Sequence, residues 1–245
     1  APMKSMKRLM RSAASGELNI HHSTTLAPAP NRQLLSLGVQ PPANAFVREE
    51  DLVKPELAFP LDLYFCAACS LVQLRDSVSA ELLFKNYVYV SSTSPAFVAH
   101  FRLFAEAVVR RFRLGSQSFV IDIGSNDGIL LRPFQAIGMR VLGVDPAEQI
   151  AAAASAAGIE TLPHFFTPDM ARDIGARRGQ AAIITATNVF AHINDLDAIG
   201  EGVKILLEPE GVFIIEAPYL VDFLEQNLFD TVYHEHLSYF SVSSL

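Results

Sequence analysis

The pattern of apolar and polar positions changes character along the chain. As far as Phe59 it is weak. LAPAPNRQLLSLGVQPPANAF reads as loops with short extended pieces, because each proline fixes φ and removes a backbone donor. FPLDLYFCAACSLVQL then alternates around a Cys-x-x-Cys turn, the pattern of a short hairpin. NYVYVSSTSP, with Tyr87 and Tyr89, is a strand or a loop. Ser94 is placed to cap a helix with Pro95 at its first position. Within it Phe97, Val98, Phe101, Phe104, Ala105, Val108 and Phe112 recur at spacings of three and four, which predicts one buried face.

From Ser118 the apolar positions gather into short solid runs. FVIDIG is a strand ending on glycine, and GILLRPFQAIG a helix with Pro133 as a kink point. MRVLGVD is a second strand, PAEQIAAAASAAG a helix led by Pro146, and IETLPHFF a short third strand and its exit. QAAIITATNVF is a fourth strand, DLDAIGEGVKILLEPEG a helix and turn, and VFIIEAP a fifth strand. Strands alternating with helices predict an α/β fold with a parallel sheet covered on both faces.

Half of the 245 residues are apolar and 18% are charged, enough to bury a real core in one large domain or one domain plus a small one. The net charge of -7 and pI near 5.5 argue against a nucleic-acid partner, which calls for a basic face. No apolar run approaches the roughly 18 residues of a membrane span, so no membrane partner is expected. With only Cys66 and Cys69, a disulfide-built secreted fold is disfavoured and a cytoplasmic location is the expectation. The basic start APMKSMKRLMRSAASGE, without an acid before Glu17, reads as a poorly ordered tail or as a transit-peptide-like segment.

The candidate chemistry begins with DIGSNDG, which contains Asp122, Gly124, Asn126 and Gly128. A strand-to-helix turn there sets backbone N–H groups at the strand end, where such sheets bind ligands. A dinucleotide site would carry G-x-G-x-x-G. This loop fits the D-x-G-x-G-x-G form of S-adenosylmethionine enzymes better, with Asn126 in place of the middle glycine. Asparagine tolerates left-handed φ, so that exchange is mild. Asp145 ends the second strand about twenty residues on, where an acid can take both ribose hydroxyls of either cofactor. Phe165 and Phe166 leave the third strand where an adenine ring would lie, or belong to the core. A nicotinamide oxidoreductase stays as the disfavoured rival, since no Tyr-x-x-x-Lys pair accompanies the loop.

YHEHLSYF near the end sets His234 and His236 two apart, on one face if extended. They could share a metal, yet no nearby spacing supplies a third ligand. Proton transfer is the other use: a histidine can take a proton near neutral pH, a carboxylate can fix its tautomer, and a phenol can stabilise an oxyanion.

PPANAF, FPLDLYFCAACSLVQL, YVYVSSTSP, DIGSNDGILL, NVFAHI and YHEHLSYFS occur in this order in S-adenosylmethionine-dependent sugar C-methyltransferases, which the chain resembles from about Gln33 to Leu245. The resemblance implies a Rossmann-like class I methyltransferase sheet behind a small zinc-ribbon-like segment. It also implies methyl transfer to C3 of a nucleotide-linked 4-keto-deoxysugar. By the same resemblance Tyr233, Glu235 and His236 serve the substrate site, His236 as base. His192 of NVFAHI and one of Tyr87 and Tyr89 join them. Asn188, which opens NVFAHI, goes with the cofactor set, and His234 is the variable position.

Two departures follow. The family holds zinc with four cysteines in two pairs, and only Cys66 and Cys69 match, with His21 and His22 as substitutes to weigh; zinc is therefore doubtful. The family's sheet has two further strands and then a third domain, so the chain reads as C-terminally incomplete. It is either an enzyme fragment or a non-catalytic remnant that retains S-adenosylmethionine or partner binding. The expected organisation is a tail over 1–30, a degenerate zinc-binding-like domain over 31–80, a helical connection over 81–116 and a methyltransferase domain over 117–245.

Overall fold

The alternating stretch around the two cysteines forms its hairpin. In the computed structural model, which describes residues 31–85 and 87–244, β2 (Phe59–Cys66) and β3 (Val72–Leu74) pair antiparallel. The turn closes through backbone bonds, Ser70 N–H to the Cys66 carbonyl at 2.7 Å and Cys66 N–H to the Leu71 carbonyl at 2.9 Å. Contrary to the loops expected before Phe59, β1 (Asn31–Gln40) is a ten-residue strand along β2. Register shifts between Gln33 and Leu35 and between Ser36 and Val39 break its alternation, which is why the period was too weak to read.

Residues near the end of the chain complete this sheet. β9 (Ser238–Tyr239) pairs with β3, giving the order β1-β2-β3-β9. Its apolar face gathers Leu61, Leu63, Val72 and Leu74 with Val232, Leu237, Tyr239 and Leu220 of α7 (Leu220–Gln226). The chain thus forms two units: one runs up to Leu83 and includes Ala191–Asn194 and Ala217–Leu245, the other comprises Phe84–Phe190 and Asp195–Glu216. The segment from Ala217 groups with the N-terminal sheet, because β9 has β3 as its hydrogen-bonding partner. The short α1 (Ala80–Phe84) follows β3.

The second unit is a parallel five-stranded sheet of order β6-β5-β4-β7-β8. Its strands are β4 (Phe119–Ile123), β5 (Arg140–Val144), β6 (Thr161–Leu162), β7 (Ala181–Thr187) and β8 (Leu207–Glu216). The order reverses between β4 and β7, which opens a crevice at their carboxyl ends. This is the Rossmann-like class I methyltransferase sheet. α2 (Pro95–Phe112) starts as predicted, Ser94 accepting from the Phe97 N–H at 3.4 Å. It buries Phe101, Ala105 and Val108 beside Val120, Ile183, Leu130 and Phe134, while Phe97 and Val98 are exposed, so the buried stripe is narrower than the sequence suggested.

Between the strands lie α3 (Leu131–Ala136), α4 (Glu148–Ala156), α5 (Pro168–Arg178) and α6 (Leu196–Leu206). The helix α5 was missed from sequence, although Thr167 caps it and Pro168 opens it; only Ala171 and Ile174 are buried, too few to show a period.

Candidate functional site

Each unit carries one half of the expected chemistry. In the second unit, the loop after β4 turns on three left-handed residues, Gly124 (φ 72°), Asn126 (φ 50°) and Gly128 (φ 81°). A Cβ on Gly124 would come within 2.6 Å of Val189, and one on Gly128 within 2.8 Å of Ile159, so both positions require glycine. Asp145 braces the loop. Its Oδ2 accepts from the Asn126 N–H at 2.8 Å and its Oδ1 from the Ala147 N–H at 2.9 Å. Each oxygen retains a second lone pair, so the expected ribose acceptor is also the loop's support. Burial raises its carboxyl above the ordinary range, against the pull of those two N–H bonds.

Asp122, inside β4, accepts from the Thr185 hydroxyl at 2.6 Å. Burial pushes it up to about 7; the Thr185 bond opposes the rise, and Asp145 and Glu216 add to it. Asn188 (φ 55°) donates its N–H to the Glu216 carbonyl at 2.8 Å and its Nδ2 to Oε1 at 3.1 Å. Glu216 Oε2 stands 2.8 Å from His100 Nε2, a contact that no sequence motif announced. The strand ends thus concentrate negative charge, suited to a cationic ligand.

The two phenylalanines separate. Phe166 is buried, and its ring leaves no space for a Cβ on Gly202 of α6 (2.7 Å), whereas Phe165 is 40% exposed and remains the one available to a ligand ring. Tyr87 and Tyr89 stand 6.4 Å apart, and Phe84 meets Tyr87 edge-on at 5.7 Å. Ser125 Oγ and Asp127 Oδ1 are buried without a hydrogen-bond partner among the described residues. Left-handed turns, orphaned polar atoms and a braced acid fit S-adenosylmethionine.

In the first unit, Tyr233, His236 and His192 come together. The Thr231 carbonyl, an acceptor only, lies 2.8 Å from His236 Nδ1, so Nδ1 carries the proton and Nε2 the lone pair. The Tyr233 hydroxyl, 3.0 Å from Nε2, therefore donates to it. The His192 and His236 rings lie 5.1 Å apart. Burial, with His236 adding to it, pushes His192 down to about 3, and burial lowers His236 against the support of the Thr231 carbonyl. Both rings are neutral at pH 7. Glu235 is 1% exposed and accepts from Asn44 Nδ2 at 2.5 Å. Asn44 lies in PPANAF and was not singled out from sequence, since nothing local links it to a residue so distant in the chain.

His234 faces elsewhere. It is 1% exposed, Nε2 donates to the Phe59 carbonyl at 3.2 Å, and the two rings meet edge-on. The shared-metal alternative for His234 and His236 is thereby corrected: their ring nitrogens serve different carbonyls. Among the described residues no three His, Cys, Asp or Glu side chains gather as a metal would need. Cys66 and Cys69 are buried and in no disulfide. The described residues do not supply a four-ligand zinc site, and His21 and His22 lie outside them. No helix of the described residues is long and apolar enough to cross a membrane.

Residues 97–245 match the family described as a methyltransferase domain, and residues 29–84 one described as a zinc binding domain. C-methyltransferase NovU of Streptomyces niveus is 40% identical over 212 residues, 86% of this chain and 50% of NovU. The ubiquinone biosynthesis O-methyltransferase of Rhodopseudomonas palustris (strain HaA2) is 30% identical over 118 residues, 45% of this chain and 46% of that protein. The chain thus spans about half the length of these relatives. Among solved structures, DesVI of Streptomyces venezuelae aligns with a TM-score of 0.42 at 17% identity, over 52% of this chain and 53% of DesVI.

Proposed function

The chain belongs to the methyltransferase domain family, and we propose that it moves a methyl group from S-adenosylmethionine to the carbon beside the ketone of a nucleotide-linked keto-deoxysugar. NovU, named a C-methyltransferase, supports carbon as the acceptor. The observation that carries the proposal is the oriented, neutral His236, with its Nε2 lone pair directed at the Tyr233 phenol.

S-adenosylmethionine, when bound, supplies an electrophilic methyl group on a sulfonium. The Gly124–Gly128 loop and Asp145 would hold it, and the acids Asp122, Asp145 and Glu216 would favour its positive charge. Phe165 is the candidate face for adenine, and Asn188 sets the end of β7.

On the substrate side, Tyr233 releases Nε2 as the sugar enters. His236 Nε2 then takes the proton from the carbon next to the ketone. The C–H electron pair passes into an enolate, whose oxygen receives the freed Tyr233 O–H bond. The Thr231 carbonyl stabilises the imidazolium that forms. Methylation of the carbon restores the ketone, and His236 returns its proton to solvent. His192, held at about 3, stays neutral and acts by hydrogen bonding rather than as the base. Glu235 is fixed by Asn44, and Tyr87 or Tyr89 contacts the sugar.

Two measurements test the proposal. Calorimetry should detect S-adenosylmethionine or S-adenosylhomocysteine and no NAD; equal affinity for NAD overturns it. Solvent deuterium should enter the sugar carbon beside the ketone without net methylation. Cofactor binding with no exchange marks a non-catalytic binding protein instead.

A further inference from the structure

We propose that Asn126 is a positioning residue that ties the cofactor loop to the Tyr87–Ser91 segment, so that cofactor binding sets the tyrosines that meet the sugar. The inference rests on the methyltransferase proposal above and adds a coupling between its two ligands.

The backbone does not call for asparagine at this position. A φ of 50° is strain-free for glycine, which stands on either side at Gly124 and Gly128. The side chain is what asparagine adds. Nδ2 donates to the Tyr89 carbonyl at 2.9 Å, and Oδ1 accepts from the Ser91 N–H at 2.9 Å. Asn126 is 8% exposed, so these bonds are shielded from water. Its own N–H is held by Asp145 at 2.8 Å. One residue therefore joins the brace of the cofactor loop to the backbone on both sides of Val90.

Among the described residues no hydrogen-bonded strand pairing holds that stretch. It is irregular from Tyr87 to Val90, followed by a single 3-10 turn at Ser91–Thr93. Two bonds from one carboxamide are thus a large share of what fixes it. A loop reshaped by the cofactor moves Asn126, and with it Tyr89 and its neighbour Tyr87.

Amide hydrogen exchange on this chain tests the coupling, with S-adenosylhomocysteine as probe. Without ligand, Asn126→Gly should raise exchange at Ser91 and across 87–91 by on the order of tenfold, the loss of two bonds. With ligand, the parent should gain protection at both 122–128 and 87–91. In Asn126→Gly the gain should be confined to 122–128, because the Asp145 brace uses only backbone at 126. Asn126→Asp, which keeps the acceptor for Ser91 and loses the donor to Tyr89, should fall between. In turnover, Asn126→Gly should raise the KM for the sugar more than that for the cofactor.

Unchanged Ser91 exchange in unliganded Asn126→Gly overturns the latch. A parent that protects 122–128 and not 87–91 overturns the coupling alone. A parent that protects neither on adding ligand overturns the cofactor assignment itself.

Discussion

The glycine loop of the second unit and the histidine cluster of the first are built in opposite ways. The loop is a single stretch, Asp122–Gly128, whose shape comes from backbone φ and from N–H groups held by one acid. The cluster gathers His192, Tyr233 and His236, with Glu235 held by Asn44, and its shape comes from side-chain bonds, one of them spanning 191 residues of sequence. A backbone site tolerates side-chain changes except where a Cβ would collide. A side-chain site has no such tolerance, and its failures should appear in chemistry before they appear in cofactor affinity.

The strongest break in that contrast is His236→Ala. Methyl transfer should fall by about a hundred- to ten-thousandfold with S-adenosylhomocysteine affinity unchanged, as single-turnover rates and calorimetry can check. An equal fall in both would merge the two sites. Next is Gly128→Ala. Left-handed φ costs about 1–2 kcal/mol and the collision with Ile159 about 1–3 more, so the melting temperature and cofactor affinity should drop together. A silent Gly128→Ala would mean the loop is not rigid.

Asn44→Ala should cost about 1–3 kcal/mol, by leaving buried Glu235 without that donor. The loss should register in sugar turnover and the stability of the first sheet, with the cofactor titration unaltered.

The smallest effect sharpens the loop. Asp122 is held at about 7 against an ordinary 3.8, so the folded unit binds the proton more tightly than the unfolded chain. Its contribution to stability is present below about 4 and is lost as the pH rises through about 7. A cationic cofactor needs the opposite charge state. S-adenosylmethionine should therefore bind several-fold more weakly at pH 6 than at pH 8, and uncharged-sulfur S-adenosylhomocysteine should vary less. Asp122→Asn should flatten both curves and raise the melting temperature above pH 7.

The same contrast explains what could be read in advance. The alternating parallel strands, the Ser94 cap and the loop's glycines are local or periodic signals, and they appear where the sequence placed them. Five features depended on tertiary packing. β1 is bulged, so no period marks it. α5 buries two residues, too few for a stripe. Phe165 and Phe166 were inseparable until Gly202 admitted one ring and left the other outside. Tyr233, His236 and His192 were singled out by resemblance, yet the proton's position on Nδ1 follows from the Thr231 carbonyl, which no motif specifies. Asn44 carried no local signal, because its partner is supplied by folding.

The pairing of β9 with β3 imposes a timetable on biosynthesis. β3 leaves the ribosome long before the strand that covers its edge. At about 5–20 residues per second, the interval is roughly ten to thirty seconds. During it the sheet presents Val72 and Gln73 as an open edge, the kind that recruits other strands. The five described strands of the parallel sheet in the second unit are all made before β9 arrives. Nascent chains of this protein should therefore depend on chaperones while the early sheet waits for the strand that covers this edge.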